Sequence, residues 1–266
     1  MTKLFFAAAI LLIMVPARAD LVLAGAPRDA NDSEMYQPIA DFLTKVTGET
    51  VRVAHTVNFL LFEEGILKDK YDFVFAGPHF NSWQISNEGH TALVRLPQKQ
   101  VWAIIVGVGE DKITNTKDLA GYSVCAHAPP NLGTLILLSQ FPNPVRQPYI
   151  KETKGWKKIY DAIASGACKG GILPLTQLHE YDGAAHRVKT IFLTAPTVNQ
   201  ALTASKRISP ELQGKIRQAL LSDNGQRVMT RLRAAYSNGK PLVAADNAEY
   251  SGMDVMLLNE RGFEPK

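Results

Sequence analysis

The stretch CAHAPPNLGTL, Cys125 to Leu135, concentrates groups able to hold a small ligand. An apolar strand, YSVCAHA, runs into two prolines, an asparagine and a glycine, and a helix, LGTLILLSQF, follows. A helix opening just after a strand presents free backbone N–H groups and the positive end of its dipole, which suits an anion. Asn131 is placed to cap that helix, the amides of Leu132 and Gly133 to face outward, and Thr134 to add a hydroxyl. Pro130 has no N–H to give. His127 stands beside the turn.

Three further strand-to-helix loops carry groups of the same kind. Arg28, in the loop 26–34, suits a carboxylate or phosphate partner, and equally a solvated surface. Phe59 follows the loop 54–58, and His79 and Phe80 lie in the loop 77–81. His79 and His127 both have a claim on a cleft. Together with Met35 they could build a copper or haem site, but no regular ligand spacing supports one, and neither metal nor cofactor is expected. Trp156 lies on the apolar face of a helix, where core packing and ligand stacking compete. HEYD, His179 to Asp182, lacks the second histidine of a zinc hydrolase and reads as a helix-end surface. No G-x-S-x-G elbow and no P-loop is present, so nucleophilic catalysis is not expected.

The elements that must position these groups are legible from hydrophobic periodicity. LVLAGA, TVRVA, DFVFAG, VWAIIVGV, YSVCAHA, GGILPL and VKTIFLT read as short buried strands. Between them, Tyr36, Ile39, Ala40 and Leu43 mark one face of a helix ended by Gly48, and Asn58 caps NFLLFEEGIL. Trp156, Ile159, Tyr160 and Ile163 repeat the helical spacing, with Gly166 as C-cap. From Ser209 onward the pattern turns helical, through SPELQGKIRQALL, NGQRVMTRLRAAY and AEYSGMDVMLLNERG. Alternating strands and helices predict an α/β fold with mostly parallel sheets covered on both faces. Ligands then sit beyond the C-terminal strand ends, where the four loops above converge on a cleft.

Residues 1–19 read as a secretory signal peptide: Lys3, an apolar run from Leu4 to Val15, then Ala17-Arg18-Ala19 before Asp20. Export to the periplasm is therefore expected. Removing that segment lowers the formal charge of +4 by the two cations Lys3 and Arg18, leaving no case for nucleic acid. Cys125 and Cys168 are the two cysteines, and in an oxidising compartment an even pair predicts a disulfide. A soft metal site or a reactive thiol is the competing reading.

YQPIADFLTKVTGETVRV, DFVFAGPHF, DLAGYSVCAHAPPNLGTL, AIASGACKGGILP and LTASKRISPELQGKIRQALL, in this order, resemble the periplasmic binding proteins of phosphate, phosphite and phosphonate ABC transporters. The resemblance implies a type II periplasmic binding protein, with two α/β lobes joined by two crossing strands and closing on a ligand. It implies one lobe from 20–101 plus 194–266 and another from 102–193, with crossings in QKQVWAIIVG and VKTIFLTAP. It also implies a monomer serving a membrane permease. Presentation of a ligand to a sensor kinase, or carriage of a metal or cofactor, are the alternatives.

The family holds its oxyanion at a Ser-Thr-Ser-Gly helix start. Aligned on Gly133, those positions are Pro130, Asn131 and Leu132, so the three hydroxyls are gone. A family tyrosine falls near Phe59, a histidine at Trp156 and an acid at Lys169. These departures predict a more aromatic cleft for a ligand with an anionic or polar end and an apolar or planar body.

Overall fold

The computed structural model describes residues 20–27, 32–56, 58–260 and 262–264. Residues 1–19, read above as a signal peptide, and Arg28 lie outside the described residues. In chain order the elements are β1 (Leu21–Gly25), α1 (Asp32–Thr47), β2 (Val51–Val53), α2 (Phe59–Leu67), β3 (Phe73–Ala76), α3 (Pro78–Trp83), β4 (Thr91–Arg95) and β5 (Trp102–Gly107). Then come β6 (Ser123–Ala126), α4 (Leu132–Ser139), β7 (Tyr149–Glu152), α5 (Trp156–Ala164), β8 (Gly170–Pro174), α6 (Leu175–Asp182) and β9 (Val188–Leu193). The chain closes with β10 (Ala201–Ala204), α7 (Pro210–Leu221), α8 (Asp223–Val228), α9 (Thr230–Ser237) and β11 (Val243–Ala244).

Two sheets form. One runs β11-β4-β10-β3-β1-β2, the other β7-β6-β8-β5-β9. Each sheet separates two apolar layers because strand side chains alternate. In the first sheet Leu23, Phe73 and Phe75 point to the α1/α7 side, while Ala24, Val74 and Ala76 point to α2 and α3. In the second, Ile104, Val124 and Ile172 share a layer with α4, and Ala103, Ile105 and Leu173 pack on α5.

The sheets are mixed rather than mostly parallel. β1 pairs parallel with β2 and β3, and β6 with β7 and β8, as helical crossovers require. β10 runs antiparallel between β3 and β4, and β5 antiparallel between β8 and β9. Both intruding strands arrive directly from the other sheet, without a helix to reverse them. The chain leaves the first sheet after Arg95 and returns at Ala201, and the two passes pair at Gln100 and Thr197 through reciprocal 2.9 Å hydrogen bonds.

Several caps are those the sequence predicts. Asn58 accepts from the Leu61 N–H at 2.9 Å, Ser209 accepts from Leu212 with Pro210 in the first turn, and Gly48 and Gly166 take φ of 76° and 78° after their helices. β4, β7 and β10 carry no strand signal in the reading above; ALTA in β10 is wholly buried yet lacks a branched, alternating pattern. The segment AEYSGMDVMLLNERG forms two 3-10 turns, Asn247–Tyr250 and Met253–Leu257, instead of an α-helix, because Gly252 at φ 76° breaks it.

The disulfide forms between Cys125 and Cys168, with Cα atoms 5.7 Å apart. Cys125 lies in β6 and Cys168 just before β8, its parallel neighbour, so the bridge spans adjacent strands.

Candidate functional site

A cleft of about 670 Å³ opens between the two sheets, beside the crossing segments. Its walls come from the starts of α2 and α3 on one side and from β5, α4, α5 and α6 on the other; Gln98, Lys99, Gln100, Asn199 and Gln200 of the crossings line it too. Of the four predicted loops, 77–81 and 126–134 line it; 26–34 does so through Ala26, with Arg28 outside the described residues, and 54–58 contributes only through Phe59, the residue that follows it.

The two strand-to-helix turns meet across the seam. His79 Nε2 lies 3.1 Å from the Pro130 carbonyl oxygen, so the ring donates from Nε2 to that acceptor. His79 is only 3 % exposed, and burial holds its pKa down to about 4 against the opposing pull of the Pro130 bond. It is therefore a neutral imidazole at working pH and offers an anion no charge. Its Nδ1 has no partner among the described residues.

At the opening stretch, the protein itself takes some of the groups expected to meet a ligand. Asn131 caps α4, its side-chain oxygen accepting from the Gly133 N–H at 3.0 Å. That takes one of the two amides, Leu132 and Gly133, expected to face a ligand. Thr134 is fully buried and its hydroxyl donates to the His127 carbonyl at 2.6 Å, so it too is withdrawn from the cleft. The reason is geometric: a hydroxyl on the inner face of a first turn meets the preceding strand before it meets solvent. Leu132 is buried and lines the cleft with Asn131 and Pro130.

The aromatic residues divide. Phe59 lines the cleft and stacks on Phe80 at 6.4 Å and 14°. Phe80 touches the cleft but is a core side chain, edge-on to Phe62 and Phe263. Trp156 both lines the cleft and packs on two apolar layers, so its two readings hold together. His127 does not line the cleft; its ring packs edge-on against Trp156 at 4.2 Å, and burial lowers its pKa against the opposing Glu152. Lys169 pairs with Glu110 at 2.7 Å and takes no part in the cleft.

The sequence reading missed Trp102, the crossing amides, and Gln177, Glu180 and Tyr236, all of which line the cleft. His179 and Glu180 of the HEYD motif are exposed on α6, yet sit at the cleft rim. The available signal was QKQ directly before a buried strand: three polar side chains on a segment that must cross between sheets. Oxygen Oε1 of Gln98, Gln100 and Gln200 and the indole Nε1 of Trp102 are buried without a partner among the described residues. The full charges among the described lining residues are Lys99 and Glu180. Such a wall offers dipoles and flat apolar surface with few full charges. Among the described residues no cluster of His, Cys, Asp and Glu could hold a metal ion.

The family profile described as ABC transporter, phosphonate, periplasmic substrate-binding protein matches residues 26–250. No curated protein matches the chain. Among solved structures, PhnD1 of Prochlorococcus marinus MIT 9301 in complex with methylphosphonate is 13 % identical with a TM-score of 0.64, covering 89 % of this chain and 96 % of that one. A Xanthomonas citri protein bound to ATP is 11 % identical with a TM-score of 0.72, covering 93 % and 100 %. A binding protein component of an ABC phosphonate transporter from Pseudomonas aeruginosa is 12 % identical with a TM-score of 0.60, covering 86 % and 82 %. At these identities the structures share the fold, a two-lobe α/β binding protein. Among the described residues no helix is long and apolar enough to cross a membrane. The family is one of transport receptors rather than enzymes, and the matched span takes in every strand of both sheets except β1. By that match the chain belongs to the periplasmic phosphonate substrate-binding family of ABC transporters.

Proposed function

We propose that this chain is the exported receptor of an ABC importer whose ligand is not phosphate or a simple phosphonate. In this reading, lobes formed by 20–101 with 194–266 and by 102–193 close on a solute with one anionic or polar end and an apolar or planar body, and deliver it as a monomer to a membrane permease. The observation that carries it is the start of α4. Where the family resemblance supplies hydroxyl donors, this chain has Pro130, a self-capping Asn131 and buried Leu132. Each lost hydrogen bond to a charged oxyanion is worth roughly 1.5–3 kcal/mol, so three together weaken binding by several orders of magnitude. Phe59, Trp102, Trp156 and Tyr236 supply flat apolar wall in exchange.

Calorimetry on ligand-stripped protein tests this. Inorganic phosphate and methylphosphonate should bind more weakly than 100-fold above the best organic solute found in a screen of polar aromatic and amphipathic compounds. Submicromolar binding of phosphate or methylphosphonate would overturn the reading.

A further inference from the structure

Trp102 opens β5 and is 3 % exposed. Its backbone is fixed on both sides: its N–H donates to the Thr194 hydroxyl at 3.0 Å, its carbonyl accepts from the Thr194 N–H at 3.0 Å, and it pairs with Pro174 of β8. The ring is therefore placed by the sheet and not by the turn it covers. A Cβ built on Gly133 would lie 2.5 Å from Trp102 Cζ3 and 2.8 Å from Cε3, so the benzo edge of the indole rests on the first turn of α4. Trp156 stands edge-on to the same ring at 5.7 Å and 65°, closing its flank. The pyrrole nitrogen, buried and unpartnered among the described residues, belongs to a residue that lines the cleft.

We propose that Trp102 is the specificity-determining residue of this cleft, excluding tetrahedral oxyanions by occupying the space on the first turn of α4 where such a group would rest. The proposal rests on the reading of the cleft given above. Removing three hydroxyls weakens an oxyanion site; a ring laid beside Gly133 narrows the approach to what remains of it. The same ring favours a ligand of a different class: a flat body that packs beside the two indoles and carries an acceptor, such as a carbonyl or ring nitrogen, for the unpartnered indole N–H. A buried donor left without an acceptor destabilises the empty cleft, and such a ligand would satisfy it on binding. Gly133 is part of the device, since any side chain there would push the indole away.

The test uses the full mature chain, stripped of ligand, with methylphosphonate and inorganic phosphate as probes. Trp102→Leu and Trp102→Ala are compared with wild type by calorimetry, with far-ultraviolet circular dichroism reporting the fold. Opening the space should raise methylphosphonate affinity at least tenfold over wild type in whichever variant folds. Folded variants with unchanged affinity would overturn the proposal and leave the receptor reading intact. Submicromolar methylphosphonate binding by wild type would instead remove that reading itself. A second measurement needs no variant: in wild-type protein at 10 mM phosphate, the amide resonances of Leu132 and Gly133 and the Trp102 indole resonance should stay in place. Saturable movement of the Gly133 amide would overturn the proposal.

Discussion

The turns after β3 and after β6 face each other across the cleft and are built alike, yet they do different work. Each follows a buried strand, contains proline, and keeps a glycine beneath an aromatic ring: a Cβ on Gly77 would lie 2.7 Å from the His79 ring, one on Gly133 2.5 Å from the Trp102 ring. At Gly77 the ring belongs to the turn itself, two residues on, and α3 begins with no side-chain cap, its residues from Pro78 to Trp83 all buried. At Gly133 the ring arrives from β5, and Asn131 has already capped the helix. The first turn is a packed corner whose polar atom reaches outward to Pro130; the second is a self-capped helix start with the Trp102 ring beside its glycine. A cleft between two lobes is thus lined by turns whose groups are taken differently: His79 by the facing turn, the Gly133 N–H by Asn131 of its own turn.

The largest way to separate the two turns is to cut the crosslink behind one of them. Cys125 anchors β6, which leads into the second turn. Replacing Cys125 and Cys168 by alanine should cost about 3–4 kcal/mol, the chain-entropy value for a loop of this length. Chemical denaturation measures the loss, and hydrogen exchange should locate it: faster at the amides of α4, unchanged in α3. Equal loosening of both helices would show that the bridge does not act on the second turn selectively.

Next in size is the response of the first turn to acid. The His79 pKa of about 4 in the folded chain lies below the ordinary 6.5, so the unfolded chain binds the proton more readily. Its contribution is fully present above pH about 6.5 and is lost as pH falls toward 4, about 3 kcal/mol in all. His90 is lowered to about 4 as well, chiefly by burial and then by Arg207, and steepens the same window. His79→Phe keeps a ring over Gly77 but cannot be protonated, so it should flatten roughly half of the acid slope in urea titrations between pH 7 and 4. An undiminished slope would mean that His79 is not held neutral by the seam.

The smallest effect concerns the cap. Asn131→Ala should cost about 1 kcal/mol by freeing the Gly133 N–H. Thermal unfolding measures it, and Asn131→Ser should restore most of the loss. A neutral Asn131→Ala would mean that the ring of Trp102, rather than the asparagine, seals this helix start.

Much of this protein was readable as sequence because the signals are short-range. The alternation of strand and helix, the caps at Asn58, Asn131 and Ser209, and the C-terminal glycines depend on neighbours within a turn or two of the chain. So did the two cysteines, whose pairing needed only a compartment and an even number. The site was legible only as a set of loops. Sequence placed Phe59, His79, Asn131, Leu132 and Trp156 near a cleft, but it could not say that His127 turns away to Trp156 or that Thr134 spends its hydroxyl on the His127 carbonyl. Nor could it foresee that β5 and β10 enter their sheets antiparallel, since direction there follows from where the chain comes from and not from any residue within the strand. At the α4 start the Gly133 N–H is taken locally by Asn131, while the ring beside Gly133 comes from Trp102 on another strand. An amide or a helix end is a fixed property of the local chain, whereas its freedom to bind depends on every group the fold brings within van der Waals reach, and only the tertiary structure decides those.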